Sequence, residues 1–153
     1  MNIFGWFKKK RFDTGAIVVS GDMVRLTIAR WLEMSKEDII VRDRSYLILE
    51  PERMKEFVFK YYHPKVDYHS NSDEFPDCDD FDLMARGSIA YGAVREGFLY
   101  HPAFGGISYK RMSGGWHRAD FSIMYDLNEI FEPQNMLWKD AKTELALARG
   151  VSL

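Results

Sequence analysis

From Cys78 onward, apolar residues recur at spacings of three and four: Phe81, Met84, Ala85, Ile89, Gly92 and Ala93. That spacing puts them on one face and predicts a helix from about residue 78 to 95 that stops at Gly97. Upstream, Ile17 to Val19 read as a short strand, and Asp22 is a candidate cap for a helix carrying Val24, Ile28, Trp31 and Leu32. "DIIVRDRSYLIL" reads as extended, with Tyr46 to Leu49 as a buried run. Pro51 then opens a helix, "PERMKEFVFKYY", with proline and glutamate in its first turn, and His63-Pro64 ends it.

After Gly97 the period changes to that of strands. "FGGISYKRM", the turn "SGGW", "HRADFSIMYD", "LNE" and "IFEPQN" predict an antiparallel meander. In its middle strand Ala119, Phe121, Ile123 and Tyr125 alternate with Arg118, Asp120, Ser122 and Met124. A last helix is predicted over "MLWKDAKTELALAR". Helices first and a curling antiparallel sheet afterwards make an α+β domain. The expected division is an N-terminal segment, 1–14, and one domain over 15–153.

Composition narrows the function classes. A length of 153 residues suits one domain with a real core. A net charge of −2 does not point to nucleic acid. No apolar run approaches the roughly 20 residues of a membrane span. The start, "MNIFGWFKKKRF", mixes large apolar side chains with a basic run, which leaves a weak membrane contact open beside local packing. It lacks the apolar core and cleavage site of a signal peptide, and one cysteine forms no internal disulfide, so a cytoplasmic location is expected.

That cysteine, Cys78, stands in "EFPDCDDFDL" among Asp77, Asp79, Asp80 and Asp82. Bare carboxylates raise a thiol's pKa, whereas a helix N-terminus lowers it. His117 opens one predicted strand and Glu132 closes the next. Adjacent antiparallel strands would set the two side by side, with the imidazole as base and the carboxylate as its orienter. The Cys78 backbone N–H is a candidate oxyanion donor, with Asn71 or Ser72 as a second. His69 is the rival base, and Asp77 or Asp79 as a plain helix cap is the simplest account of the acidic cluster.

"DCDDF" before a helix, "WHRADFSI" and "FEPQN" together resemble the papain-like domains related to the C-terminal part of the Marasmius oreades agglutinin, a mushroom lectin, which also occur alone in bacteria and phages. The resemblance covers roughly residues 40 to 138. It implies a papain-like fold and a thiol hydrolase acting on a peptide or protein substrate, with Cys78 as nucleophile, His117 as base and Glu132 as third member. It also implies calcium near the thiol, with Asp79 and Asp80 as ligands. Arg118 and Asp120 stand where the family carries an apolar residue and an amide. That departure favours the alternative, a binding or inhibitory module on the same scaffold without turnover. Transamidation on the same three residues is a further alternative.

Overall fold

The computed structural model describes residues 16–64, 77–124 and 128–153. The N-terminal segment 1–14, His69, Asn71, Ser72 and Tyr125 lie outside the described residues. In chain order the elements are β1 (Ala16–Ser20), α1 (Gly21–Leu32), a 3-10 turn (Lys36–Asp38), β2 (Ile39–Ile40), β3 (Ser45–Leu49), α2 (Pro51–Tyr61) and α3 (Cys78–Arg95). There follow β4 (His101–Pro102), β5 (Phe104–Arg111), β6 (Trp116–Ile123), β7 (Asn128–Glu132), β8 (Leu137–Asp140), the one-turn helix α4 (Ala141–Glu144) and β9 (Leu145–Ser152).

The class is α+β with two open, mixed sheets. One has the order β1-β3-β4, the other β2-β9-β5-β6-β7-β8. The β3–β4 and β2–β9 pairs are parallel, and the others antiparallel. No helix of the described residues is long and apolar enough to cross a membrane.

The helix starts follow from local chemistry. Ser20, not Asp22, caps α1, its hydroxyl accepting from the Met23 N–H. A serine in extended backbone is well placed to satisfy a donor that the first turn leaves open. Pro51 opens α2, where its missing N–H costs nothing. Asp77 caps α3 in a capping box with Asp80.

One departure is large. The last predicted helix is instead β8, one helical turn and β9. Alanine, leucine, lysine and glutamate favour helix, but the backbone of β9 finds partners along β5 from Gly106 to Arg111. Without it β5 would present a bare edge, and that pairing overrides local preference.

β6 sits between two cores, so both of its faces are buried. Ala119, Phe121 and Ile123 join Ile107, Tyr109, Ile130 and the inner side of α1 in one core. On the other side Phe81, Ala85 and Ile89 of α3 pack with Phe104, Phe131, Met124 and α2. Full burial of a side chain such as Phe81 or Ile89 contributes about 1.5–3 kcal/mol. This second core fixes the start of α3 against the β6 backbone. The turn between β5 and β6 needs positive φ at Gly114 and Gly115 (95° and 82°), which glycine adopts freely.

Candidate functional site

The β5–β6 register sets Tyr109 opposite His117. Alternation along β6 then sends His117, with Ala119 and Phe121, to one face and Arg118 with Asp120 to the other. The imidazole packs edge-on to the Tyr109 ring, centroids 5.6 Å apart. Glu132, at the end of β7, reaches the same face. Its Oε2 is 2.8 Å from His117 Nε2, and its Oε1 accepts from the Tyr109 hydroxyl at 2.9 Å. Arg111 Nη2 at 3.4 Å and Lys139 Nζ at 3.8 Å add positive charge.

His117 and Glu132 are both buried. Burial pushes the Glu132 carboxyl up, but the hydrogen bond and charge of His117, the Tyr109 hydroxyl and Lys139 outweigh it, and the group is held below the usual carboxylate value. The same burial, with Glu132 beside it, pushes the Tyr109 phenol well up. Tyr109, Arg111 and Lys139 escape a reading by motif. Hairpin register is the signal that could have found Tyr109, because the "SGG" turn fixes its pairing with His117.

Cys78 occupies the first position of α3. The Arg118 backbone N–H, next to His117 in β6, lies close enough to the sulfur to pull its thiol down. The thiol's own hydrogen bond runs to Asp79 Oδ1 at 3.7 Å, while the described bond of the His117 Nε2 runs to Glu132. The free N–H groups of the helix start do not serve the sulfur, because Asp77 Oδ1 accepts from Asp79 N–H at 2.9 Å and Asp80 N–H at 3.3 Å. Burial pushes the Cys78 thiol up. The Arg118 N–H pulls it down, the charges of Asp79 and Asp77 push it further up, and the balance lies above the ordinary value of 9.0.

Asp79 and Asp80 are the candidate calcium ligands. Asp80 Oδ2 accepts the Asp77 backbone N–H at 3.0 Å, closing the capping box. Asp79 Oδ1 faces the thiol and, at 4.0 Å, the Arg118 Nε. Among the described residues no group of three His, Cys, Asp or Glu side chains is placed to hold a metal ion. A hard cation needs several oxygens converging on one point. Of these two carboxylates, Asp80 serves a cap and Asp79 faces a guanidinium.

Asp82 and Asp120 belong to a different device. Both are fully buried. Asp82 Oδ2 takes Arg118 Nε at 2.7 Å and Arg86 Nη2 at 2.8 Å. Asp82 Oδ1 and both Asp120 oxygens have no donor. Burial and the adjacent Asp82 push Asp120 well above the usual carboxylate range. Gly106, on the neighbouring strand, leaves room for this contact, since a Cβ there would stand 2.5 Å from Asp82 Oδ1. Of the two residues that break the motif, Arg118 thus ties the start of α3 to β6 through Asp82, and Asp120 lies buried.

The fold is shared with half of a fungal lectin. One solved structure, described as a PSL1a–E64 complex, matches with a TM-score of 0.67 at 20% identity, covering 89% of this chain and 50% of that one. A second, Polyporus squamosus lectin bound to the influenza-binding epitope Neu5Acα2-6Galβ1-4GlcNAc, matches with a TM-score of 0.68 at 19% identity, covering 89% and 49%. The chain therefore spans about half the length of each lectin chain it matches. No family model and no curated protein matches the sequence.

These relations correct the expected hydrolase. The agglutinin relation holds at the level of fold, because a lectin is among the neighbours. The expected keywords of hydrolase and cysteine protease find no support in these neighbours, of which one is described as a lectin, and at 19–20% identity the likeness shows the fold alone. The site adds a physical reason. The capping acids that start α3 take the helix N–H groups and set negative charge beside the sulfur.

Proposed function

We propose that this chain is a binding module, one that holds its ligand without turning it over. The observation that carries this reading is the state of Cys78. A nucleophilic cysteine needs its thiolate populated near neutral pH. Here burial, Asp79 and Asp77 push the thiol above its ordinary value, and Asp77 accepts from the Asp79 and Asp80 N–H groups at the helix start. Glu132 sits among Tyr109, Arg111, His117 and Lys139 as the hub of a buried network, which suits a rigid scaffold. Cys78, His117 and Glu132 then serve as structure around the start of α3.

Carbohydrate is the first ligand class to test, because the fold is shared with a lectin seen with a bound glycan. The test pairs wild type with Cys78→Ala on a glycan array and adds the thiol-reactive epoxide E64 as a probe of the sulfur. Equal binding by both proteins, with no E64 adduct on wild type, is the expected result. An adduct on Cys78 forming faster than on free cysteine, or ligand breakdown that disappears in Cys78→Ala, overturns the reading.

A further inference from the structure

The contact between α3 and β6 holds two carboxyl groups and too few hydrogen-bond donors for them. Asp82 and Asp120 are both 0% exposed. Asp120 pairs with Gly106 across β5 and β6, so its Cβ leaves the sheet on the same face as a Cβ at Gly106 would. Such a Cβ would lie 2.5 Å from Asp82 Oδ1 and 2.9 Å from Asp82 Oδ2. Directly opposed Cβ positions stand about 4.5–5.5 Å apart, so the register sets the Asp82 carboxyl beside Asp120. We propose that the two acids share one proton, donated by Asp120 to Asp82, and that this proton is a pH-sensitive latch holding the start of α3 on β6. The inference goes beyond the binding-module reading and holds whatever ligand the module takes.

Hydrogen-bond accounting carries the shared proton. Asp82 Oδ2 accepts from Arg118 Nε at 2.7 Å and from Arg86 Nη2 at 2.8 Å. Asp82 Oδ1 and both Asp120 oxygens have no donor among the described residues. A buried acceptor without a donor is costly, and two bare carboxylates in contact repel as well. A proton on Asp120 is the missing donor, and it satisfies Asp82 Oδ1 and one Asp120 oxygen together. Asp120 is its holder because both guanidinium groups bond Asp82, which stays ionised, and neither bonds Asp120. The remaining described neighbours offer Asp120 no donor. Burial, and then the nearby Asp120, pushes the Tyr62 phenol up, but the Tyr62 hydroxyl donates to the Pro133 carbonyl at 3.0 Å. β5 and β7 oppose Asp120 with Gly106 and Phe131, which carry no titratable group. Burial and the charge of Asp82 hold Asp120 well above the usual carboxylate range, in keeping with this placement.

The latch follows from what ionisation requires. When its proton leaves to solvent, Asp120 needs a new donor. Arg118 shares its strand face, and turning Arg118 to Asp120 breaks the Arg118–Asp82 bond that ties β6 to α3. Admitting water to Asp120 parts the two elements instead. Either route loosens the first turns of α3, which begin with Cys78. The sign is fixed by the raised folded value: the stabilisation is present below the unfolded value and is lost as pH rises through the folded one.

The test is carboxyl-carbon NMR of the full chain labelled at aspartate, with amide exchange followed on the same protein from about pH 4 to about pH 8. One aspartate carbon is expected to keep its protonated shift above about pH 5, where ordinary aspartates are ionised, and to be missing from Asp120→Asn. Protection of the amides of residues 81–85, corrected for intrinsic exchange, should fall by about tenfold per pH unit up to the midpoint of that carbon and then level off. In Asp120→Asn the same protection should not change with pH. Should that variant fail to fold, the coincidence of carbon midpoint and protection plateau in wild type still decides. The proposal is overturned if every aspartate carbon titrates below about pH 5, or if the late-titrating carbon persists in Asp120→Asn. It is overturned equally if protection at the start of α3 ignores pH in wild type, or falls with pH in Asp120→Asn as it does in wild type.

Discussion

Replacing Glu132 with alanine should be among the most damaging single changes in this chain. The carboxylate is 2% exposed and accepts two short bonds, from His117 at 2.8 Å and Tyr109 at 2.9 Å, beside the cations of Arg111 and Lys139. Hydrogen bonds to a charged group contribute about 1.5–3 kcal/mol each. Breaking a buried charge network by removing one partner costs about 3–5 kcal/mol, because the groups left behind are stranded. Taken as about 3–5 kcal/mol, the loss lowers Tm by roughly 6–20 °C for a domain of this size. Urea melts of wild type, Glu132→Ala and Glu132→Gln would measure it, with the glutamine variant falling between. The pH dependence supplies a second reading. The folded carboxyl is held below its ordinary value of 4.5, so its contribution is present above the unfolded value and is lost as pH falls through the folded one. The gap between wild type and Glu132→Gln should therefore shrink on acidification below about pH 4. A cost under about 1 kcal/mol for Glu132→Ala, or a gap that ignores pH, would refute the view of Glu132 as a hub.

Other consequences are as definite. Asp120 has a folded pKa raised above its unfolded value, so its contribution is present below the unfolded value and is lost as pH rises through the folded one; Asp120→Asn, a neutral isostere, should flatten that decline above about pH 4 in thermal melts. Gly105→Ala should be destabilising, because its Cβ would lie 2.1 Å from the Ser152 carbonyl oxygen on β9, and backbone there must shift; overpacking of this kind costs about 1–3 kcal/mol by denaturant melt. If Asp79 and Asp80 are capping and thiol-facing groups, millimolar calcium should move Tm by less than about 1 °C, whereas a filled site would raise it with concentration.

Much of the fold could be read from residue order, and the failures have identifiable causes. Helices α2 and α3 announced themselves through Pro51 and through the apolar face from Phe81 to Ala93, and the meander through its alternation and its glycine turn. The segment from Leu137 to Ser152 did not, since its alanines and leucines favour helix locally while the open edge of β5 decides the outcome from a distance. Strand alternation marked Asp120 as polar and α3 periodicity placed Asp82 in an acidic first turn, but neither shows that the two meet in the interior. Only the packing of α3 across β6 does so. For the site, His117 and Glu132 were placed together by reasoning on adjacent strands. The fate of the cysteine turned on how Asp77 and Asp79 orient, which spacing does not encode.

The most direct test of the central claim is the rate at which Cys78 is alkylated by iodoacetamide as a function of pH. A protonated thiol, pressed by burial and two carboxylates, should titrate at or above 9.0 and react no faster than a free cysteine at every pH. A rate that levels off below about pH 7, at a value exceeding that of free cysteine, would contradict the account and make the sulfur a nucleophile.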